Sequence, residues 1–408
     1  MTQVVIVGGG IGGVSCAAAL RTHGYAGELV LIESSELPYD RPPLSKDYLA
    51  GQRDLKEIAL HPAEWYAEQR IELLAPAEVA GLTPAEDEVG VVLVDGRRLE
   101  ADRVVLATGG RAAVPPVPGL HDAREAGRAH VLRAAADADR LRATLVPGAR
   151  LLVVGGGLIG AETASTAREL GCEVVLVDPL DPPIAAAVGQ QVARWLHDQH
   201  AAYGIETVTT TLESVQVTGG GVAAQLHGEP DSRTFDAVLV GVGMVPETGL
   251  AEAAGLEVDR GVLVDEDQVT SHPRVLAIGD SARLRDHPRT EHWEAAQRDG
   301  ERAAATILGG ARPAGAASWF WTDRHHRHVE GVGTMREPDA EHAVVLRGEP
   351  GESPFSAFTL HAGRVIGAVA VDDSQAVRAA RRLIDRGIAV DPELLADPAT
   401  NLRKLLRG

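Results

Sequence analysis

This sequence predicts an α/β chain in which two mostly parallel, doubly wound sheets are followed by a smaller α+β segment. Three observations predict it. One β–α–β unit is written twice, as VVIVGGGIGGVSCAAALRTHGYAGELVLIE from Val4 to Glu33 and LLVVGGGLIGAETASTARELGCEVVLVD from Leu151 to Asp178. The strands of both copies are continuously apolar, the pattern of parallel strands covered on both faces. At 408 residues the chain also exceeds what one hydrophobic core usually supports, so two or three domains are expected.

Each copy opens on an apolar strand, turns through glycines, runs along an Ala-rich helix and returns on a strand ending in an acid. In the first copy Gly8, Gly10 and Gly13 form a G-x-G-x-x-G fingerprint, with Gly12 beside it and Glu33 twenty residues beyond Gly13. The first glycine permits a tight turn. The second lets backbone N–H groups approach a pyrophosphate, and the third lets helix and strand pack closely. Glu33 is placed to accept hydrogen bonds from ribose hydroxyls. Gly155, Gly157 and Gly160, with Leu158 and Ile159 between them, repeat the pattern, and Asp178 ends the following strand. Two such units imply two dinucleotides, a flavin that stays bound and a nicotinamide that comes and goes. A carboxylate at 178 repels a 2′-phosphate, and Pro179-Leu180-Asp181 offers no arginine to bind one, so NADH is expected over NADPH.

Two further strands end in turns. Val104–Ala107 leads into Thr108-Gly109, and Val275–Ile278 leads into Gly279-Asp280. Val238–Val240 is followed by Gly241, Gly243 and Pro246, and a proline-rich connection at 115–119 follows the Thr108-Gly109 turn. The expected division is therefore a discontinuous FAD-binding domain over 1–109 and 240–313, with an NADH-binding domain inserted over 110–239. A third, mixed α/β interface domain over 314–408 has strand-like runs at His342–Leu346 and Val365–Val371 and an Arg-bearing helix near Ala376–Arg386.

Composition narrows the function classes. The 39 Lys and Arg against 58 Asp and Glu leave a formal net charge of −19, which argues against nucleic acid or an anionic membrane as a general partner. Only Cys16 and Cys172 occur, which excludes a disulfide scaffold or a four-cysteine metal site and fits a reducing compartment. The N-terminus reads as a strand rather than a signal peptide, and no uncharged apolar stretch is long enough to span a membrane. A soluble, cytoplasmic protein is expected.

The segment Pro38-Tyr39-Asp40-Arg41-Pro42-Pro43-Leu44-Ser45-Lys46 resembles the signature of the FAD-dependent, NADH-using ferredoxin reductases of the putidaredoxin reductase and rubredoxin reductase type. These serve bacterial cytochrome P450s and Rieske-type dioxygenases. The likeness continues through Ala107-Thr108-Gly109, Gly241 to Pro246, Ala277-Ile278-Gly279-Asp280, Glu291-His292-Trp293 and Trp319-Phe320-Trp321-Thr322-Asp323. It implies a glutathione-reductase-like architecture. It also implies hydride transfer from NADH to bound FAD, then single electrons to a small [2Fe–2S] ferredoxin or a rubredoxin, from a monomer or homodimer. On this resemblance Arg41, Pro43, Lys46, Val79, Ala107, Thr108, Gly109, Arg133, Asp280 and Trp293 would contact the FAD, with Lys46 near the isoalloxazine. Glu162, Gly243 and Glu291 would lie near the nicotinamide, and Trp321 near the flavin.

The chain departs from the family pattern at two places, and three rival readings stand beside it. Where the family continues with Gln after Asp323, this chain has Arg324-His325-His326-Arg327-His328, read as a solvated strand or loop and not as a metal site; no metal is expected. Glu247 stands where the family has Asn. A dithiol reductase would need a redox cysteine after the first β–α–β unit, where Pro38–Lys46 has none; Cys16 and Cys172 read as small buried hydrophobes. A flavin monooxygenase or a flavin-carrying NADH sensor akin to the apoptosis-inducing factors are the other rivals. Because ferredoxins are typically acidic, docking calls for a local basic patch, for which Arg324, Arg327, Arg378, Arg381, Arg382 and Arg386 are the candidates.

Overall fold

The computed structural model describes residues 3–352 and 354–407. They divide into two units. The first takes the chain up to Arg41, Arg53–Arg111 and Met244–Ala314; the second takes Pro42–Gln52, Ala112–Gly243 and the chain from Gly315 on.

A five-stranded parallel sheet organises the first unit, in the order Val275–Ala277, Arg103–Leu106, Gln3–Val7, Glu28–Ile32, Glu72–Leu74. Its β-branched and leucine side chains are buried on both faces, as continuous apolar strands require. One face packs on helices Ile11–Thr22 and Trp293–Leu308, where Val14, Cys16, Ala17, Leu20, Ala303 and Ala304 join the core. These helices approach closely because small residues line the crossing. A Cβ on Gly300 would lie 2.4 Å from the Gly12 carbonyl oxygen. The other face carries a three-stranded antiparallel sheet formed by Val79–Pro84, Val89–Leu93 and Arg98–Ala101.

The second unit repeats the plan. Its parallel sheet runs Glu206–Thr209, Glu173–Asp178, Arg150–Val154, Ala237–Val240, Ala129–His130. Val240 pairs with Val154, so this strand belongs to the second sheet, not to the FAD-binding half where residues from 240 on were expected. Pro42–Gln52 likewise groups with the second unit.

From Trp319 an antiparallel sheet follows in the order Trp319–Arg324, Arg327–Gly333, Arg364–Val371, Phe355–His361, His342–Arg347. Helix Ser374–Arg386 buries Ala376, Val377, Ala379, Ala380 and Leu383 against it, and the Asp373 carboxylate caps the helix by accepting from the Ala376 N–H at 3.1 Å. Instead of standing alone, this segment shares a core with the inserted one: Val188, Val192 and Leu196 pack with Val329, Phe355, Val369 and Val371. Among the described residues no helix is long and apolar enough to cross a membrane.

Candidate dinucleotide sites

In the first unit the glycine turn is dictated by space. Gly8 has φ +111°, and a Cβ there would lie 2.3 Å from the Ala107 carbonyl oxygen; a Cβ on Gly13 would lie 2.0 Å from the Gly8 oxygen. Helix Ile11–Thr22 starts from Gly10 without a side-chain cap, which leaves its N-terminus to a ligand. The Arg41 guanidinium lies over this turn, since a Cβ on Gly10 would meet its Nη1 at 2.8 Å. Glu33 is buried at the end of its strand. Its Oε2 accepts from the Gly9 N–H at 2.7 Å, and its Oε1 accepts from the Ser35 N–H at 2.8 Å and the Ser35 hydroxyl at 2.7 Å.

Around this cradle the turns interlock. The Thr108 hydroxyl donates to the Glu247 carbonyl at 2.7 Å, and the Glu247 N–H donates to the Gly109 carbonyl at 2.9 Å. The Glu247 side chain pairs with Arg111 at 3.0 Å, which accounts for the acid at this position. Asp280 sits in the 3-10 turn Gly279–Ser281, and the Trp293 indole N–H donates to Asp40 at 2.7 Å. Glu291 is exposed and held by Arg289, while Val79 is half-buried on its antiparallel strand. Pro43 and Arg133 belong to the second unit; the Arg133 N–H donates to Asp137 at 3.1 Å, just before helix Ala135–Arg142.

Asp299 is a residue that sequence reading missed. Burial pushes its carboxyl up to about 6, and it accepts from the Gly279 N–H at 3.2 Å, which fixes the turn carrying Asp280.

The second cradle matches the first. Gly155 has φ +104°, and a Cβ there would lie 2.4 Å from the Gly241 oxygen; a Cβ on Gly160 would lie 1.9 Å from the Gly155 oxygen. Gly157, by contrast, has nothing within 4 Å of that position, and helix Leu158–Glu169 also starts without a side-chain cap. Leu158 is half-buried and Ile159 exposed beside it. The Asp178 carboxylate accepts from the Gly156 N–H at 2.7 Å and the Leu180 N–H at 2.8 Å. The Gly243 carbonyl accepts from the Ala113 N–H at 2.9 Å. Both cradles fit a pyrophosphate: the backbone is bare where a phosphate would approach, and the helix end offers N–H donors and partial positive charge.

Residues 2–300 match the family described as pyridine nucleotide-disulphide oxidoreductase. The chain belongs to that family. Residues 319–406 match a second description, reductase C-terminal. The chain is 37% identical to the ferredoxin–NAD(+) reductase component of the anthranilate 1,2-dioxygenase system of Burkholderia cepacia, with 98% of each chain covered. To putidaredoxin reductase of Pseudomonas putida it is 33% identical over 99% of this chain and 96% of the other. The crystal structure of the covalent putidaredoxin reductase–putidaredoxin complex superposes with a TM-score of 0.91 and 31% identity, covering 100% of this chain and 98% of that one. As a member of this oxidoreductase family the chain is an enzyme that uses FAD and NAD(H), and the two-cradle fold expected from the sequence is borne out.

Although the family takes its name from disulphide chemistry, neither cysteine of this member is placed for it. Cys16 is fully buried on its helix, with its thiol pushed up to about 12 by burial, and Cys172 is buried as well.

What the second unit of this oxidoreductase does hold is a chain of charges. The Lys46 ammonium lies 3.2 Å from Glu162 and 3.0 Å from Asp323. Burial opposes its charge, but the two carboxylates together hold its pKa above the ordinary value. Glu162 also accepts from the Ser45 and Thr322 hydroxyls, the latter at 2.7 Å. Asp323 continues to His328 Nδ1 at 2.6 Å, and His328 Nε2 meets Glu330 at 3.0 Å. Hydrogen bonds to these two carboxylates push the imidazole up to about 10, so His328 is an imidazolium at neutral pH. Trp319 and Trp321 stack at 4.9 Å, and the Lys46 ammonium lies 5.7 Å from the Trp321 ring.

The Arg324–His328 segment is strand and turn, as one of the expected alternatives had it, but it is not solvated throughout, since only His326 is exposed. It is a tight hairpin between paired strands, with Arg324 and His325 buried. The His325 N–H donates to the Ser165 hydroxyl at 2.8 Å, and its ring nitrogen meets that of His200 at 2.9 Å. Burial keeps both rings neutral, with His325 lowered to about 4 and His200 to about 2. Strand alternation was the signal available: with Trp319, Trp321 and Asp323 on one face, Phe320, Thr322 and Arg324 share the other. Among the described residues the grouping with metal-ligand spacing is Glu341, His342 and His361, not the hairpin histidines.

Proposed function

We propose that this chain is an NADH-dependent ferredoxin reductase that passes electrons to a small [2Fe–2S] protein feeding a cytochrome P450 or Rieske-type oxygenase. The observation that carries this reading is the pair of glycine cradles on one chain, each with an acid fixed at the end of its second strand. The buried cysteines and the end-to-end likeness to reductase components of oxygenase systems support it further. The overall conversion is NADH plus two oxidised ferredoxins to NAD+, one proton and two reduced ferredoxins. A bound FAD would supply the conversion of a hydride's electron pair into the single electrons that a one-electron acceptor requires.

The protein's residues bind and orient. Gly8, Gly10 and Gly13 with the first helix end hold the flavin nucleotide's pyrophosphate, Arg41 adds charge there, and Glu33 Oε2, which accepts only from the Gly9 N–H, takes a ribose hydroxyl. Thr108, Asp280, Val79 and Trp293 line the remainder of that nucleotide site. Gly155, Gly157 and Gly160 receive NADH, while Glu162, one turn into that helix, keeps a fixed charge paired with Lys46. The protein works in the cytoplasm, as a monomer or homodimer.

Asp178 selects the nicotinamide. Because both its oxygens are already held by backbone N–H groups, it cannot swing away from a 2′-phosphate. Asp178→Ala is expected to lower kcat/KM for NADH roughly 10–100-fold, the effect of losing a charged hydrogen bond, and to narrow the preference over NADPH. Steady-state kinetics with both nucleotides check this.

For docking, Arg378, Arg382 and Arg386 are exposed four residues apart on helix Ser374–Arg386 and form one basic face. Arg327 is tied to Asp372 at 2.9 Å, and Arg324 is buried, so neither belongs to that face. Arg382→Glu with Arg386→Glu is expected to lower kcat/KM for an acidic [2Fe–2S] ferredoxin about tenfold at low salt while NADH–ferricyanide activity holds. NADH oxidation that proceeds at full rate without any ferredoxin, yielding a hydroxylated organic product, would refute the reading.

A further inference from the structure

We propose that Arg324 is the anchor of an oxyanion-binding site, taking a carboxylate or phosphate group in a cleft of the second unit.

The cleft encloses about 400 Å³; the cations Lys46, Arg324, Arg327 and His328 line it together with the carboxylates of Asp47, Glu169, Asp323 and Asp372. Arg324 is only 4% exposed, yet its guanidinium makes no hydrogen bond and no ion pair among the described residues, and its Nε is fully enclosed without a partner. A guanidinium carries five N–H donors in a planar fork that matches two oxygens of one anion. Leaving such a group buried and unpaired is costly, so a structure that keeps one implies a ligand for it.

Among the described residues, its cationic neighbours are each engaged by a carboxylate. Lys46 is engaged by Glu162 and Asp323, His328 by Asp323 and Glu330, and Arg327 by Asp372. The Glu162 charge favours the guanidinium from beyond ion-pair distance, but burial dominates and lowers its pKa to about 10. It remains fully charged at neutral pH.

The backbone also marks this place. His325 and His326 form the hairpin turn with φ +54° and +55°, a conformation that glycine or asparagine usually supplies. Two histidines hold it only because the Ser165 hydroxyl accepts the His325 N–H and His200 receives the His325 ring. Strain kept in place by its surroundings beside a cleft is characteristic of binding sites. The turn fixes Arg324 on the last position of its strand.

The anion could be a free solute or an acidic side chain of the docked ferredoxin, and one set of measurements separates them. Inorganic phosphate is titrated at constant ionic strength in a zwitterionic buffer, with thermal midpoints of the FAD-loaded parent, Arg324→Gln and Arg324→Lys. A small-anion site predicts a rise of about 3 °C in the parent, absent in Arg324→Gln and reduced in Arg324→Lys, which keeps the charge but loses the fork. A ferredoxin carboxylate predicts no phosphate effect, but a roughly tenfold higher KM for ferredoxin in Arg324→Gln with kcat maintained; this arm alone depends on the proposed function. Without phosphate, Arg324→Gln should melt no lower than the parent, because it removes an unpaired buried charge; a purely structural arginine would do the opposite. A lower melting point without phosphate, an equal phosphate shift in parent and Arg324→Gln, or no effect in either arm overturns the proposal.

Discussion

Lys46→Met is expected to cost about 3 kcal/mol of stability and to slow NADH-dependent reduction roughly tenfold or more. The side chains of Lys46 and Glu162 are 16% and 5% exposed, so water cannot replace the lost ion pair. Methionine preserves the length and apolar contact of the stem but leaves the Glu162 carboxylate among hydroxyl donors with no cation at hydrogen-bonding distance. Breaking one side of a buried pair typically costs 3–5 kcal/mol, and the partial exposure of Lys46 and of Asp323, at 42%, argues for the lower end. The kinetic loss has a separate origin. On the function proposed here Lys46 stands near the reacting rings, where a fixed ammonium favours the negative charge that develops on reduction and an uncharged side chain does not. Urea unfolding measures the first effect and stopped-flow reduction by NADH the second. Lys46→Arg restores charge and should recover much of the stability. Stability within 0.5 kcal/mol of the parent in Lys46→Met, by order of magnitude the noise of surface substitutions, would remove the ion pair from any account of this unit.

The sequence disclosed some of this and hid the rest for a physical reason. The glycine cradles were legible because their determinants are local: Gly8 and Gly155 need positive φ, and Gly13 and Gly160 sit against a carbonyl oxygen five residues earlier in the chain. The acids at 33 and 178 follow from the length of one helix and strand. Errors arose where partners are distant in sequence. Val240 went to the wrong half because only its pairing with Val154 decides its sheet. The basic hairpin read as solvated because Ser165 and His200, which bury it, lie on other elements. Asp299 was invisible for the same reason, since its contact with the Gly279 N–H has no sequence signature. His328 carries its charge only because folding sets Asp323 and Glu330 on its two nitrogens.

A pair of glycine substitutions in the second cradle separates folding from binding. Gly160→Ala would place a methyl 1.9 Å from the Gly155 carbonyl oxygen, backbone against backbone, where nothing flexible yields. The helix must then lift from the strand, at a cost of about 3 kcal/mol, and NADH binding goes with it. Gly157→Ala meets no atom within 4 Å, and the residue has φ −64° and ψ −173°, which alanine adopts freely. Stability should stay within about 0.5 kcal/mol of the parent or rise slightly, since alanine loses less backbone entropy on folding. Yet that methyl occupies the space through which a pyrophosphate reaches the helix N-terminus, so KM for NADH is expected to rise roughly tenfold with FAD content unchanged. Thermal melts, FAD stoichiometry and NADH titration of both variants decide the matter. If Gly157→Ala bound NADH as the parent does, the open face of this turn would not be where the nucleotide enters, and Asp178 would lose its assignment with it.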